Sequence, residues 1–432
     1  MAETRTMAIN IPVLTRVEGE GALDLTIADG AITGLHLRIF EPPRLFEKLL
    51  EGRHYLEVPD MVARICGICP VAYQMSAVQA LENILGIVPT PWVAAMRRLF
   101  YCGEWIESHS LHIHLLAAPD FLGFSNVVEL AGAHADVVRR GLRLQEAGNA
   151  IIRFLGGRSV HPVGARVGGF WRAPGVAEAA ALHARLEALL PEAADLVRWT
   201  AALPLPQEAQ DFLGVALRHA GEYPMNQGHI VSSAGLDIGA ERFAEEFEES
   251  QVPHSTALHC RHRGSDYLVG PLARMNLNFD RLPAATQQLA RESGRAFPSA
   301  NMYDSVVARA LEIHGALLLA LGVLKDYAPT DGPYLSAPPR AGVGYGATEA
   351  PRGMLWHRYE LAADGRVLSA RIVPPTSQNQ ARMEEDLRRS LTRAGLDRPH
   401  AVLRQQAETV IRNYDPCISC ATHFLDLCID RP

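Results

Sequence analysis

Two Cys-x-x-Cys pairs stand near opposite ends of this 432-residue chain. Cys66 and Cys69 lie in Arg64-Ile-Cys-Gly-Ile-Cys-Pro70, and Cys417 and Cys420 lie in Asp415-Pro-Cys-Ile-Ser-Cys-Ala-Thr-His423. The four side chains can act as one chelate only if the fold brings the two ends of the chain together. Seven cysteines is an odd count, and the remaining three, Cys102, Cys260 and Cys428, stand singly. That usage points to metal or redox chemistry rather than a disulfide framework. The single cysteines read as small buried apolar residues.

With 48% hydrophobic and 21% charged residues the composition is that of a soluble globular protein able to bury a large core. A net charge of -7, with no Lys/Arg cluster carrying interleaved aromatics, argues against nucleic acid as a partner. The N-terminus runs from polar residues into Ile9-Asn-Ile-Pro-Val-Leu without an apolar core segment, so no signal peptide is visible. The longest apolar run, Ala316 to Leu324, falls short of the roughly 20 residues a membrane span needs. The expectation is a cytoplasmic protein with no direct membrane span.

Along the chain, Leu23-Asp-Leu-Thr-Ile and Ile32-Thr-Gly-Leu-His-Leu-Arg-Ile alternate around Ala28-Asp-Gly30, which predicts an N-terminal hairpin. A short helix is expected over 44–53. Pro70 sits at the first turn of an amphipathic run through Leu85, which places the first Cys pair at a loop-to-helix junction. Thr90-Pro91 is an N-cap and first-turn pair opening a long helix toward Leu116. Further helices are expected over 128–155, 177–200, 283–295 and 301–323. Gly156 to Gly169 and residues 329–356 read as Gly- and Pro-rich loops, and Asp364-Gly365 as the turn of a second hairpin. No linker or repeat marks a boundary. The fold class expected is therefore mainly α: a single domain over 1–432, built as a large bundle of long helices with small peripheral antiparallel β hairpins.

Four thiolates suit zinc, an iron-sulfur cluster or a soft late transition metal. Structural zinc normally ties together a small module without a core, whereas these pairs bracket a large helical chain. They are also accompanied by arginines, carboxylates and a histidine, more functional groups than a closed tetrahedral site uses.

Arg64-x-Cys-Gly-x-Cys69 and Asp415-Pro-Cys-x-x-Cys-x-x-His423 resemble the two signature motifs of the large subunit of [NiFe] hydrogenases. The resemblance continues, in order, through Thr15-Arg-Val-Glu-Gly19, His161-Pro162, Ala350-Pro-Arg-Gly353 and Pro375-Thr-Ser-Gln-Asn379, so it spans nearly the whole chain. It implies a nickel-iron centre at which dihydrogen is split heterolytically. Cys66 and Cys417 would be terminal nickel ligands, while Cys69 and Cys420 would bridge nickel and iron. The iron would carry carbonyl and cyanide ligands.

The same resemblance implies roles around the centre. Arg352 would lie over the open metal position as an electrostatic anchor, since guanidinium is a poor base, with Asp415 as its partner. Glu18 would be the first proton relay, and Asp120 a further carboxylate of the same canopy. A magnesium or similar hard ion would be held by Glu47, the backbone carbonyl of Gln380 and the imidazole of His423. Two features depart from the pattern. Tyr73 stands where many relatives have histidine, and a phenol can donate one hydrogen bond in its place. Residues 424–432 extend past His423, where most relatives lose a C-terminal pro-segment to a dedicated endopeptidase.

The motif wording looks most like the NAD(P)-coupled, sulfhydrogenase-like branch. Gly19-x-Gly21 and Gly342-x-Gly-x-Gly346 lack the frame of a nucleotide-binding fingerprint. NAD(P), flavin and iron-sulfur clusters would then belong to partner subunits, namely a small iron-sulfur subunit and a flavin/NAD(P) module, with maturation factors acting beforehand. Two other classes remain in view: a metal-free coupling protein like the quinone-site subunit of respiratory complex I, and a protein with a structural four-cysteine zinc site. Four retained cysteines argue against the first, and metal content decides the second.

Overall fold

In the computed structural model, which describes residues 6–422, the helix signals become helices where their chemistry directs. Thr90 Oγ1 accepts the Val93 N–H at 3.2 Å, and the helix Pro91–Leu111 follows. It continues through a wide π turn, His112–Ala117, into Ala118–Leu122, an irregularity often found at functional sites. Around it pack Pro70–Leu85, Ala135–Gly156 and Ser305–Lys325, and Val176–Ala202 closes over the last two. The predicted helix over 128–155 is interrupted at His134, giving Val127–Ala133 and Ala135–Gly156.

About half of the described residues are helical, and the rest include five small antiparallel sheets. The expected N-terminal hairpin is present: Gly21–Ala28 pairs with Ala31–Ile39 around Asp29 and Gly30, both at positive φ, and Thr6–Ile11 adds a third strand. The hairpin around Asp364–Gly365 is also present, joining Gly353–Leu361 to Val367–Val373.

The β structure is less peripheral than expected. Residues 329–356, read as a loop, contain the strand Gly342–Ala350, which pairs with Gly353–Leu361 to form a largely buried hairpin against Pro70–Leu85. A Cβ on Gly344 would come within 2.1 Å of Ala80 O, and one on Gly346 within 2.2 Å of Ser76 O. These glycines let a strand lie directly on a helix backbone, which is what Gly342-x-Gly-x-Gly346 does here. Further strands between 215 and 262, and the helices Pro375–Ala394 and His400–Tyr414, complete the architecture. One described helix, Met302–Lys325, is long and apolar enough to cross a membrane; 72% of its apolar window is buried inside the protein.

The helical core also encloses histidines that are neutral near pH 7. Burial, with Arg140 beside it, lowers His114 from 6.5 to about 3. The unfolded chain therefore takes up a proton below pH 6.5 that the folded chain refuses until about pH 3, so this residue's contribution to stability shrinks as pH falls through that window. His114→Gln should cost more stability at pH 7 than at pH 5, with the gap to the parent chain narrowing by about 2 kcal/mol. Urea unfolding of both chains at the two pH values measures it, and a constant gap would contradict neutral burial.

Candidate metal centre

The N-terminal loop reaches the C-terminal segment because Gly19 carries no side chain. At φ 88°, a Cβ there would meet Ile418 Cβ at 2.6 Å. The backbone of Glu18 can then bridge to Cys417, its carbonyl accepting the Ile418 N–H at 3.0 Å and its Oε2 the Ser419 N–H at 3.0 Å. Arg44 clamps the two cysteine loops together by donating to the carbonyls of Ile65 and Ser419. Thr376 Oγ1 accepts the Cys417 N–H at 3.0 Å.

The four cysteine sulfurs converge as a result. Cys66 and Cys417 lie 3.4 Å apart, Cys69 and Cys420 3.5 Å, and Cys417 and Cys420 2.7 Å; all four sulfurs fall within 4.8 Å of one another and are buried. Burial pushes the Cys417 and Cys420 thiols up, with neighbouring sulfurs adding to it for Cys417, while the contact with Cys417 holds Cys66 well below its ordinary value. Loading a metal must therefore displace protons that burial holds in place. A dry, all-thiolate donor set fits soft, late transition metals.

Arg352 comes from the tip of the central hairpin. Ala350 and Gly353 pair, leaving Pro351-Arg352 as a two-residue loop, and a Cβ on Gly353 (φ 135°) would collide with Val269 and the Gly270 N. Its Nε donates to Asp415 O at 2.8 Å and Nη2 to Asp415 Oδ1 at 3.1 Å; Nη1 is buried without a partner. Burial alone would lower the guanidinium, but Asp415 and the sulfurs of Cys417, Cys69 and Cys66 outweigh it and hold it charged. Glu18 is raised above its ordinary value, first by burial and then by Cys66, against the Ser419 and Cys417 hydrogen bonds and Arg352. Tyr73 is 1% exposed, and burial followed by the Cys420, Cys69 and Cys417 sulfurs keeps its phenol protonated.

Asp120 sits differently. Its carboxylate is taken up by Arg16 and by Arg412 Nε (2.7 Å) and Nη2 (2.9 Å), with Gln405 as a further donor, so its hydrogen bonds brace the helix leading into Asp415. Glu47 is half-buried and accepts the Ile372 N–H at 2.6 Å. Gln380 is fully buried with neither side-chain amide atom hydrogen-bonded. Arg44 N donates to Thr422 O at 2.7 Å, tying the start of the Glu47 segment to the last described residue. His423 and residues 424–432 lie outside the described residues.

Sequence reasoning passed over several contributors. Glu107 is buried on Pro91–Leu111, raised by burial, with Arg352, Cys66 and Asp415 in its field. Glu104 accepts the N–H groups of Val71 (2.6 Å) and Ala72 (3.1 Å), capping the helix after Cys69 from a distant helix. Arg274, Glu312 and Glu349, all fully buried, form an ionic knot behind Arg352. No local pattern marks these residues, since their partners are far away in sequence.

The profile of the nickel-dependent hydrogenases matches residues 44–140 and 242–423. The chain belongs to the nickel-dependent hydrogenase family. It is 32% identical to sulfhydrogenase 2 subunit alpha of Pyrococcus furiosus over 98% of this chain and 100% of that protein. It is 29% identical to the beta subunit of the NAD-reducing hydrogenase HoxS of Cupriavidus necator, over 96% of this chain and 94% of the other. A solved NAD+-reducing [NiFe]-hydrogenase in the H2-reduced state superposes with a TM-score of 0.87 at 27% identity, covering 97% and 99% of the two chains. The hydrogenase chain is thus a catalytic large subunit, and the large-subunit fold accounts for the meeting of its two ends.

Proposed function

We propose that this subunit oxidises and produces dihydrogen reversibly at a nickel-iron centre held by Cys66, Cys69, Cys417 and Cys420. The observation that carries the reading is the convergence of four buried sulfurs from both ends of the chain, beside a charged arginine with one unused donor group. Such a centre supplies heterolytic cleavage of dihydrogen, with carbonyl and cyanide ligands on the iron. Cys66 and Cys417 would hold the nickel as terminal ligands, and Cys69 and Cys420 as bridging ones. Arg352 is the electrostatic anchor, its charge supported by Asp415, and the partnerless Nη1 is the group available to it. Tyr73 offers its hydroxyl as a donor toward the Cys420 side of the site.

Glu18 is the proton relay. Its carboxyl, raised by burial and by Cys66 and set against the Cys417 backbone, is suited to accept and pass a proton. Glu18→Gln keeps an acceptor for the Ser419 N–H and removes the titrating group. Dihydrogen oxidation should fall about 100-fold with nickel and iron content unchanged, and unaltered turnover would contradict the relay. Asp120 is a more remote member of the canopy, acting through Arg412.

A magnesium or similar hard ion is proposed at Glu47, the Gln380 carbonyl and His423. The half-buried Glu47 carboxylate and the Arg44–Thr422 backbone bond, which brings that segment to the last described residue, support it. Residues 424–432 are proposed as a pro-segment of a single large-subunit domain, removed by an endopeptidase after metal insertion.

Electrons are proposed to leave through a small iron-sulfur subunit to a flavin/NAD(P) module in a cytoplasmic hetero-oligomer. The named relatives support this, as does an apolar face beside the first Cys pair. Val160, Val163, Trp171, Tyr334 and Leu335 are exposed there, and Gly67 abuts Val160. The reading is tested by infrared spectroscopy of the enzyme purified with its partners. Sharp carbonyl and cyanide bands that shift under dihydrogen are expected, and a silent window would refute the centre.

A further inference from the structure

A second cluster of metal-ligating side chains lies away from the four cysteines, where the N-terminal sheet meets the helix Pro375–Ala394. His254 precedes the strand His259–His262, His259 opens that strand, and Glu384 is on the helix. His254 Nε2 lies 2.9 Å from Glu384 Oε1, and one donor atom from each of the three residues falls within 4.8 Å of the others. The same Glu384 oxygen accepts the Leu37 N–H at 2.9 Å, so a backbone bond from the sheet orients the carboxylate. The rings of His254 and His259 meet edge-on, with centroids 5.7 Å apart.

His259 is the telling member. It is 2% exposed, and its Nε2 has no hydrogen-bond partner. A buried imidazole nitrogen without a partner is costly and calls for an explanation. Burial, with His254 and Arg261 nearby, lowers His259 to about 4, so the ring is neutral and able to ligate at pH 7. The His36 ring also meets that of His254, at a tilt, with centroids 4.5 Å apart.

We propose that His254, His259 and Glu384 bind one zinc ion, at a site sharing no residue with the thiolate centre. Two imidazoles and a carboxylate are a donor set zinc takes readily. Around a tetrahedral ion with bonds of roughly 2.0–2.1 Å, donors stand about 3.3 Å apart. The His254–Glu384 pair is already near that spacing, and His259 closes the remainder by side-chain rotation. Water or His36 supplies the fourth position. The ion joins the strand His259–His262 and the loop before it to the helix whose first turn holds the Cys417 N–H through Thr376, so its role is to brace the helix against which the C-terminal cysteines rest.

The test uses the assembled enzyme with its thiolate centre loaded, treated with a chelator and then titrated with zinc chloride alone. One zinc per chain is expected without loss of nickel, and zinc K-edge absorption should show only nitrogen and oxygen neighbours at roughly 2.0–2.1 Å. His259→Gln and Glu384→Gln should each weaken zinc binding by more than about 100-fold, beyond the cost of losing an outer partner. No zinc uptake by the parent enzyme, sulfur neighbours at about 2.3 Å, or unchanged affinity in folded variants would overturn the proposal. The absorption spectrum of the parent enzyme decides the matter even if a variant fails to fold.

Discussion

Cys417→Ser strips nickel from the chain and lowers dihydrogen turnover by more than about 10⁴-fold, the scale met when a group on which a whole catalytic constellation depends is removed. A serine hydroxyl is a hard, weakly acidic donor that does not replace a thiolate toward a soft late metal. The substitution changes little else. Cys417 is held in place by its backbone, through the Thr376 hydroxyl and the bridge to Glu18, and serine preserves both. The free energy of unfolding, compared between the metal-free forms, should therefore change by no more than about 1 kcal/mol. Nickel content and dihydrogen uptake, measured on the same preparation, separate this outcome from general misfolding. Full nickel occupancy in the variant would show that the ligand set is assigned wrongly.

Arg274→Met is the second large effect, and it acts on stability first. Arg274 donates to Glu312 Oε1 (2.7 Å) and Oε2 (2.8 Å), to Glu349 Oε2 (2.7 Å), and to the carbonyls of Ala350 (2.9 Å) and Pro351 (3.2 Å). Its guanidinium also lies 4.2 Å from the Trp105 ring centroid. Burial alone would raise Glu312, but Arg274 and His109 bring it down to about 2, whereas burial keeps Glu349 above its ordinary value. Taking the arginine away strands buried carboxylate charge and two carbonyls. The expected cost is roughly 3–5 kcal/mol, read from the denaturation midpoint. Adding Glu312→Gln to the variant should recover part of it. Because the two carbonyls immediately precede Arg352, the surviving enzyme should also turn over more slowly. A change below about 1 kcal/mol would mean the knot is not held by charge.

Much of the site was legible because its chemistry is local in sequence. Each Cys-x-x-Cys pair is a short chelate in its own right, whereas the hairpin tip at Ala350-Pro-Arg-Gly353, read within a loop, and the close approach of Glu18 to Cys417 that Gly19 allows emerge only in the folded chain. Asp29-Gly30 and Thr90-Pro91 specify a turn and a helix start by their own backbone preferences. What escaped is what depends on distant partners. The strand Gly342–Ala350 was hidden by its glycines, which read as a loop until the backbone of Pro70–Leu85 is laid against them. The helix Pro375–Ala394 is strongly polar for a buried element. Its first turns spend those polar groups on other segments, with Gln378 donating to Met354 O and Asn379 bonding both backbone groups of Val269. Asp120, matched by position, carries its hydrogen bonds to Arg16 and Arg412, partners that no local pattern around it announces.

The central claim is that four cysteines from the two ends of the chain hold nickel and iron together. Quantifying both metals by native mass spectrometry, on the subunit purified with its native partners and then separated from the iron-sulfur subunit, addresses it most directly. One nickel and one iron per chain is the predicted result; a fully assembled, active-length subunit without nickel would contradict it.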